Sequence, residues 1–270
     1  MKIALMDSGI GLLAAAAAVR RLRPDAELVL SCDPDGMPWG LRTLQDLTAR
    51  ALDVAHAAAA HRPDALIVAC NTATVHALPA LRAALEPGVP VIGTVPAIKP
   101  AAAGGGRVAI WATPATTGSA YQRGLIRDFA AGAEVTEVPC PGLADAVEQA
   151  DEDAIDRTVA AAAALTPMDV RAVVLGCTHY ELVAERIRAA VSAGRPDGLP
   201  PLALHGSAGA VAAQAVRRAA AGPTPAATPS TSLTVLLSGR AGALPSTALA
   251  YAEGRLLAAV DTVNRVTPAR

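Results

Sequence analysis

Short runs of contiguous apolar residues recur along the chain, separated by longer stretches in which apolar and polar positions repeat with helical spacing. The runs read as strands at Ile3–Met6, Glu27–Ser31, Ala65–Ala69, Val91–Val95, Val108–Ala112, Val135–Val138, Val170–Gly176, Leu202–His205 and Leu233–Ser238. Between them lie Ala- and Arg-rich stretches with helical periodicity, such as Arg42–Arg62 and Asp151–Leu165. Strand–helix alternation predicts βαβ units, hence an α/β fold with mainly parallel sheets flanked by helices. Uninterrupted runs such as Ala65–Ala69 and Ala172–Gly176 suit strands buried on both faces. The pattern breaks at Pro96–Gly106, which has a linker's composition, and at the turn-rich stretch Gly194–Pro201. Gly222–Ser232 reads as a flexible surface loop before the last strand.

Composition sharpens this picture by exclusion. Over half of the 270 residues are hydrophobic, yet the aromatics are one Phe, two Trp and three Tyr, so the core must be built from Val, Leu, Ile and Ala. Net charge is −1, and the 23 basic residues are scattered singly or in pairs such as Arg20–Arg21 and Arg217–Arg218. They read as solvated helix faces. A nucleic-acid partner calls for a basic field, and none is visible. Charge, Pro or Gly interrupts every apolar run, so no membrane span is expected. The opening residues are too short and too quickly acidic for a secretion signal. Together with four cysteines and no C-x-x-C, this points to a reducing cytoplasm and thiols.

The cysteines carry the chemical interest. Leu66–Thr72 parallels Val173–His179: each is an apolar strand ending in Cys, followed by two polar groups. A buried structural Cys is the commoner reading of either alone. But Cys70 precedes Asn71-Thr72-Ala73-Thr74 at the head of a helix, where backbone N–H groups favour a thiolate or a bound carboxylate. Cys177 holds the same position in Gly176-Cys177-Thr178-His179. In open parallel sheets ligands bind beyond the carboxyl ends of strands. Asp7 ends the first strand, ahead of Ser8-Gly9-Ile10-Gly11. It reads either as a helix N-cap or as an assistant to Cys70, with Ser8 on the ligand. His179, two residues after Cys177, is placed to relay a proton. Glu148 reads by itself as an ordinary surface acid.

Competing chemistries lack their residues. The only lysines are Lys2 and Lys99, neither placed as a Schiff-base lysine. No H-E-x-x-H or comparable metal cluster exists, and no G-K-[ST] or G-x-S-x-G. Gly9–Gly11 is too short for a dinucleotide fingerprint, with Ala14 where its third glycine belongs. What remains is thiol chemistry with no cofactor and no metal.

Asp7–Gly11, Pro38-Trp39-Gly40, Cys70–Thr74, Pro96–Pro100 and Gly176–Tyr180 together resemble the glutamate racemases, in order and across nearly the whole chain. Thr113–Tyr121 and the segment from Cys140-Pro141 to Val147-Glu148 are similar to further family segments. The resemblance implies two similar α/β domains with the active site in the cleft between them. Residues 1–95 plus 202–270 would form the first domain, and 96–201 the second. Cys70 and Cys177 would be the catalytic thiols, assisted by Asp7, His179 and Glu148. Ser8, Trp39, Gly40, Asn71, Thr72, Thr116 and Thr178 would line the substrate. The implied reaction interconverts L- and D-glutamate without a cofactor and supplies D-glutamate for peptidoglycan. The partner is then a small amino acid, and a homodimer stays open. The chain departs from the family at Leu12 (usually Gly), Trp39 (Tyr), Glu181 (Pro) and Gly206 (Asp). These departures bear on substrate preference. Two alternatives are a related racemase, epimerase or decarboxylase acting on another acidic substrate in specialised metabolism, and a catalytically weak homologue with a binding or regulatory role.

Overall fold

The computed structural model describes residues 1–219 and 232–265. They form two compact units: Met1–Thr94 with the described residues from Ala208 onward, and Val95–Ser207.

The chain begins in unit 1 with β1 (Lys2–Asp7), α1 (Leu13–Leu22), β2 (Glu27–Cys32), α2 (Leu44–Ala59), β3 (Ala65–Val68), α3 (Asn71–Leu85) and β4 (Val91–Gly93). Unit 2 holds α4 (Ile98–Ala103), β5 (Val108–Ala112), α5 (Ala120–Phe129), β6 (Val135–Pro139), α6 (Leu143–Gln149), α7 (Glu152–Ala164), β7 (Ala172–Leu175), α8 (Ala184–Ala193) and β8 (Ala203–His205). The chain then returns to unit 1 with α9 (Ala208–Ala219), β9 (Leu233–Leu237), β10 (Arg240–Gly242) and α10 (Ala252–Arg265). The sheet of unit 1 runs β10-β9-β2-β1-β3-β4, and that of unit 2 runs β6-β5-β7-β8. Every pairing is parallel except β9 with β10.

The strands with the longest apolar runs are the central ones. β3, β5 and β7 are buried at every position, and β1 at all but its first, because helices cover both faces of a parallel sheet. Helices meet the sheets along one stripe. On α2 the buried residues are Leu47, Ala51, Val54, Ala55 and Ala58, spaced as one face of a helix demands. Its alanines share a core with Ala73, Ala77 and Leu81 of α3, so small side chains do the packing that aromatics do elsewhere.

All nine strand runs form strands; Val108–Ala112 matches at both ends, and the others differ by one or two residues at one end or both. The fourth stops at Gly93 because the Thr94 amide donates to Thr74 Oγ1 (3.0 Å) instead of continuing the ladder. Two features differ from expectation. The linker-like stretch 96–106 contains α4: Ile98 and Ala101 are buried in the core of unit 2, and Pro100 sits in the first turn, where its missing N–H leaves no bond unmade. β10 was not anticipated. It is the return arm of a two-residue hairpin in which Ser238 (φ 46°) and Gly239 (φ 76°) both take the left-handed conformation such turns need. The loop expected at Gly222–Ser232 lies outside the described residues except for Ser232.

Each unit contains one of the two tryptophans, Trp39 and Trp111, both fully buried. Ile110→Ala, in the middle of β5, should therefore destabilise unit 2 by about 2–5 kcal/mol. The urea midpoint of Trp111 fluorescence in a Trp39→Phe background measures it.

Candidate active site

In unit 1, β1 and β3 run side by side with Met6 opposite Val68. The Ala69 amide donates to Met6 O (2.8 Å), so Asp7 and Ser8 leave the sheet next to Ala69 and Cys70. Cys70 has extended backbone (φ −142°, ψ 120°) and caps the N-terminus of α3, whose first turn carries Asn71 and Thr72. Threonines pin this joint. Thr74 donates its amide to Cys70 O (2.9 Å) and its hydroxyl to Val68 O (3.4 Å), and Thr94 Oγ1 donates to the same Val68 carbonyl (2.8 Å). Asp7 is wholly buried, and its Oδ1 accepts from the Ser8 amide (2.6 Å) and the Ser8 hydroxyl (3.3 Å). Gly9, rather than Asp7, occupies the cap position of the 3₁₀ turn that follows.

Trp39 and Gly40 stand differently. Gly40 is exposed, whereas Trp39 lies in the hydrophobic cluster that also contains Cys70, Ala73 and Ala77. Its indole Nε1 donates to Asp33 Oδ2 (2.9 Å). Asp33 also accepts from Arg50 Nη1 (3.2 Å) and, through Oδ1, from Ser238 Oγ (3.0 Å). The ring thus packs beneath the head of α3, held by a buried carboxylate.

In unit 2 the equivalent joint follows β7. The Gly176 amide donates to Trp111 O at 2.7 Å, and a Cβ at position 176 would stand 2.7 Å from that same oxygen. Only glycine lets the two strands close there. Cys177 follows in nearly the backbone conformation of Cys70 (φ −137°, ψ 137°), but it caps a 3₁₀ turn, Thr178–Val183, that leads into α8. Cys177 is partly exposed. Its Sγ lies 3.8 Å from His179 Nδ1, and His179 Nε2 lies 2.9 Å from Glu148 Oε2 at the end of α6. With Glu148 ionised, Nε2 carries the proton and the Nδ1 lone pair faces the thiol, the arrangement in which an imidazole accepts a thiol proton. Thr116 belongs to the turn after β5, where its hydroxyl is 3.3 Å from that of Thr113. β5 is the strand beside β7, so this turn and Cys177 leave the same edge of the sheet.

Unit 2 has a second cysteine at a strand end. Cys140, just after β6, is buried, its thiol donating to Val138 O (3.5 Å). Burial, and next the charge of Cys177, push it up to about 12. It stays protonated through neutral pH.

Asp7, Ser8, Cys70, Asn71 and Thr72 thus gather at one sheet edge, and Thr116, Cys177, Thr178, His179 and Glu148 at another. Among the described residues, no three His, Cys, Asp or Glu side chains converge as metal ligands would. No helix among them is long and apolar enough to cross a membrane. Sequence reasoning missed Asp33, Thr94 and the holding role of Glu181, whose carboxylate binds Ser207. Their side-chain partners lie 20 residues or more away, save that Asp33 also meets Trp39 and Arg50, so no local pattern reveals them.

Residues 11–215 match the family model described as Asp/Glu/Hydantoin racemase. A glutamate racemase of Roseiflexus sp. (strain RS-1) is 38% identical over 192 residues, 69% of this chain and 70% of the relative. One of Pseudomonas entomophila is 36% identical, over 66% of this chain and 69% of its own. The chain belongs to the Asp/Glu/hydantoin racemase family. It is a racemase, and so an isomerase. Among solved structures, Escherichia coli glutamate racemase in complex with L-glutamate and the activator UDP-MurNAc-ala superposes on the racemase with a TM-score of 0.75. That match has 27% identity and covers 92% of this chain and 91% of the other. The Thermus thermophilus glutamate racemase, in complex with β-chloro-D-alanine, gives 0.64 at 28% identity, covering 100% and 95%.

Iodoacetamide separates the thiols of unit 2. At about pH 8.5, where an ordinary thiol is half ionised, Cys177 should be alkylated and Cys140 should not, because burial holds Cys140 near 12. Peptide mapping by mass spectrometry after a timed pulse reads the outcome.

Proposed function

We propose that this racemase interconverts L- and D-glutamate by passing the Cα proton between Cys70 and Cys177, and so supplies D-glutamate for peptidoglycan. One observation carries the reading: two cysteines each stand at the cap position after a buried parallel strand, in almost the same backbone conformation, one in each unit. The relatives' names favour glutamate, and the bound L-glutamate of the E. coli enzyme accords with it.

Inversion at Cα needs a base on one face and an acid on the other. A thiolate takes the Cα proton and becomes a thiol, while the opposite thiol gives its own proton to the carbanion and becomes a thiolate. Two protons move, and the enzyme ends with its thiol and thiolate exchanged. An ordinary thiol loses its proton at about pH 8.5, so each cysteine gains from neighbours that favour the thiolate. Helix N–H groups serve Cys70, with Asp7 as its nearby acid–base partner. The His179–Glu148 pair serves Cys177, with Nδ1 drawing the proton from Sγ. The small donors Ser8, Asn71, Thr72, Thr116 and Thr178 are suited to hold carboxylates, and stabilising the charge that builds on the α-carboxylate lowers the barrier to the carbanion.

Cys70→Ala and Cys177→Ala should each abolish racemisation of L- and D-glutamate, followed by circular dichroism, with aspartate as the control substrate. Wild-type rates in both variants would end the two-thiol reading. Glu148→Gln, which leaves His179 in place without an ionised partner, should lower kcat about 10²- to 10⁴-fold, the usual contribution of a proton-transfer group. Activity should survive dialysis against a chelator, and its loss there would point to a metal enzyme.

A further inference from the structure

The 3₁₀ turn Thr178–Val183 is tied down by three consecutive side chains. His179 meets Glu148, the fully buried Tyr180 donates its hydroxyl to Cys140 O (3.3 Å), and Glu181 accepts from Ser207. The third tie is the most crowded. Glu181 Oε1 takes both the Ser207 amide and the Ser207 hydroxyl, each at 2.8 Å. Gly206 packs directly against the same carboxylate: a Cβ there would stand 2.4 Å from Oε2 and 2.6 Å from Cδ. Gly206 is not in the left-handed region, so the demand for glycine at this position is one of space alone. Position 206 has no side chain because Glu181 fills its room.

In a 3₁₀ turn, side chains three residues apart eclipse one another. Glu181 therefore lies on the face of the turn that carries Thr178, the residue bonded directly to Cys177. The ties from His179 and Tyr180 leave the turn on its other faces. We infer that Glu181 is a positioning residue for the racemase reaction: anchored on Ser207 in the space left by Gly206, it fixes the turn that aims Cys177 and Thr178. It touches no reacting atom. Its role rests on the proposed part of Cys177 in catalysis, but its effect on the Cys177 thiol can be read without substrate.

The test is the pH profile of Cys177 alkylation by iodoacetamide, with the Cys70 profile and thermal unfolding as internal controls, followed by kcat and KM for glutamate. Glu181→Ala should raise the midpoint for Cys177, leave that for Cys70 in place, and lower kcat about tenfold or more, since a misplacement near 1 Å costs up to about 100-fold. Gly206→Ala should do the same by displacing the carboxylate. Added to Glu181→Ala it should do nothing further, because the space is then vacant. Glu181→Gln, whose amide oxygen still accepts both Ser207 bonds, should keep the wild-type profile. If Glu181→Ala does not fold, Ser207→Ala, which removes only the hydroxyl donor, should give a smaller shift in the same direction. The inference fails if Glu181→Ala, or Ser207→Ala in its stead, leaves the Cys177 profile and kcat at wild type. It also fails if Glu181→Gln behaves like Glu181→Ala, or if the Gly206→Ala effect adds in full to that of Glu181→Ala. A shifted Cys177 profile in an enzyme that does not racemise glutamate would uphold the positioning role and count against the assigned reaction.

Discussion

A parallel strand must hand its chain to the next helix at the carboxyl edge of the sheet, and the chemistry proposed for this protein depends on what stands at that joint. The residue there has extended backbone, its neighbours' amide groups open the following turn, and close-packed strands fix its position on either side. Cys70 and Cys177 occupy such joints after β3 and β7 with dihedral angles that agree within about 20°. The joints are built by crowding. Trp111 O excludes any side chain at Gly176, and Thr74 and Thr94 both reach the Val68 carbonyl ahead of Cys70. Thiols seated this way do not drift, and the backbone N–H groups at the head of α3 lie next to Cys70.

The two joints are nevertheless tuned by different means. Cys70 shares a hydrophobic cluster with Trp39 and heads a full α-helix, with the buried Asp7 leaving the neighbouring strand. Cys177 is more open, heads a 3₁₀ turn, and is backed by the imidazole and carboxylate of His179 and Glu148. Cys140 shows that a place after a strand is not enough. It too follows a parallel strand, but burial raises it to about 12 and leaves it a protonated part of the core. Exposure and an imidazole partner, rather than residue type, separate Cys177 from it.

Much of this was legible in the sequence because it is local. The apolar runs mark every buried strand, and the Cys-Asn-Thr and Cys-Thr-His triplets mark the joints that follow β3 and β7. Local signals misread two places. The Pro- and Gly-rich stretch 96–106 hides α4, whose Ile98 and Ala101 find their partners in β5 and β7. β10 is too short and too exposed to carry an apolar pattern, and only the Ser238-Gly239 turn announces it. Illegible altogether were the ties between distant positions. Asp33 joins Trp39, Arg50 and Ser238, and Glu181 reaches Ser207 across 26 residues. Two of the four positions at which the chain departs from the family it resembles, Glu181 and Gly206, turn out to touch, which neither position suggests alone.

The most direct test of the two-thiol account is the isotopic content of product and substrate formed together in D2O. Starting from protiated L-glutamate and stopping in the first few per cent of reaction, the D-glutamate should carry deuterium at Cα, because a second, solvent-equilibrated thiol delivers it. The remaining L-glutamate should still hold its original proton. D-glutamate that keeps the protium of its substrate, or L-glutamate that exchanges as fast as it racemises, would mean that one base works both faces and would contradict the account.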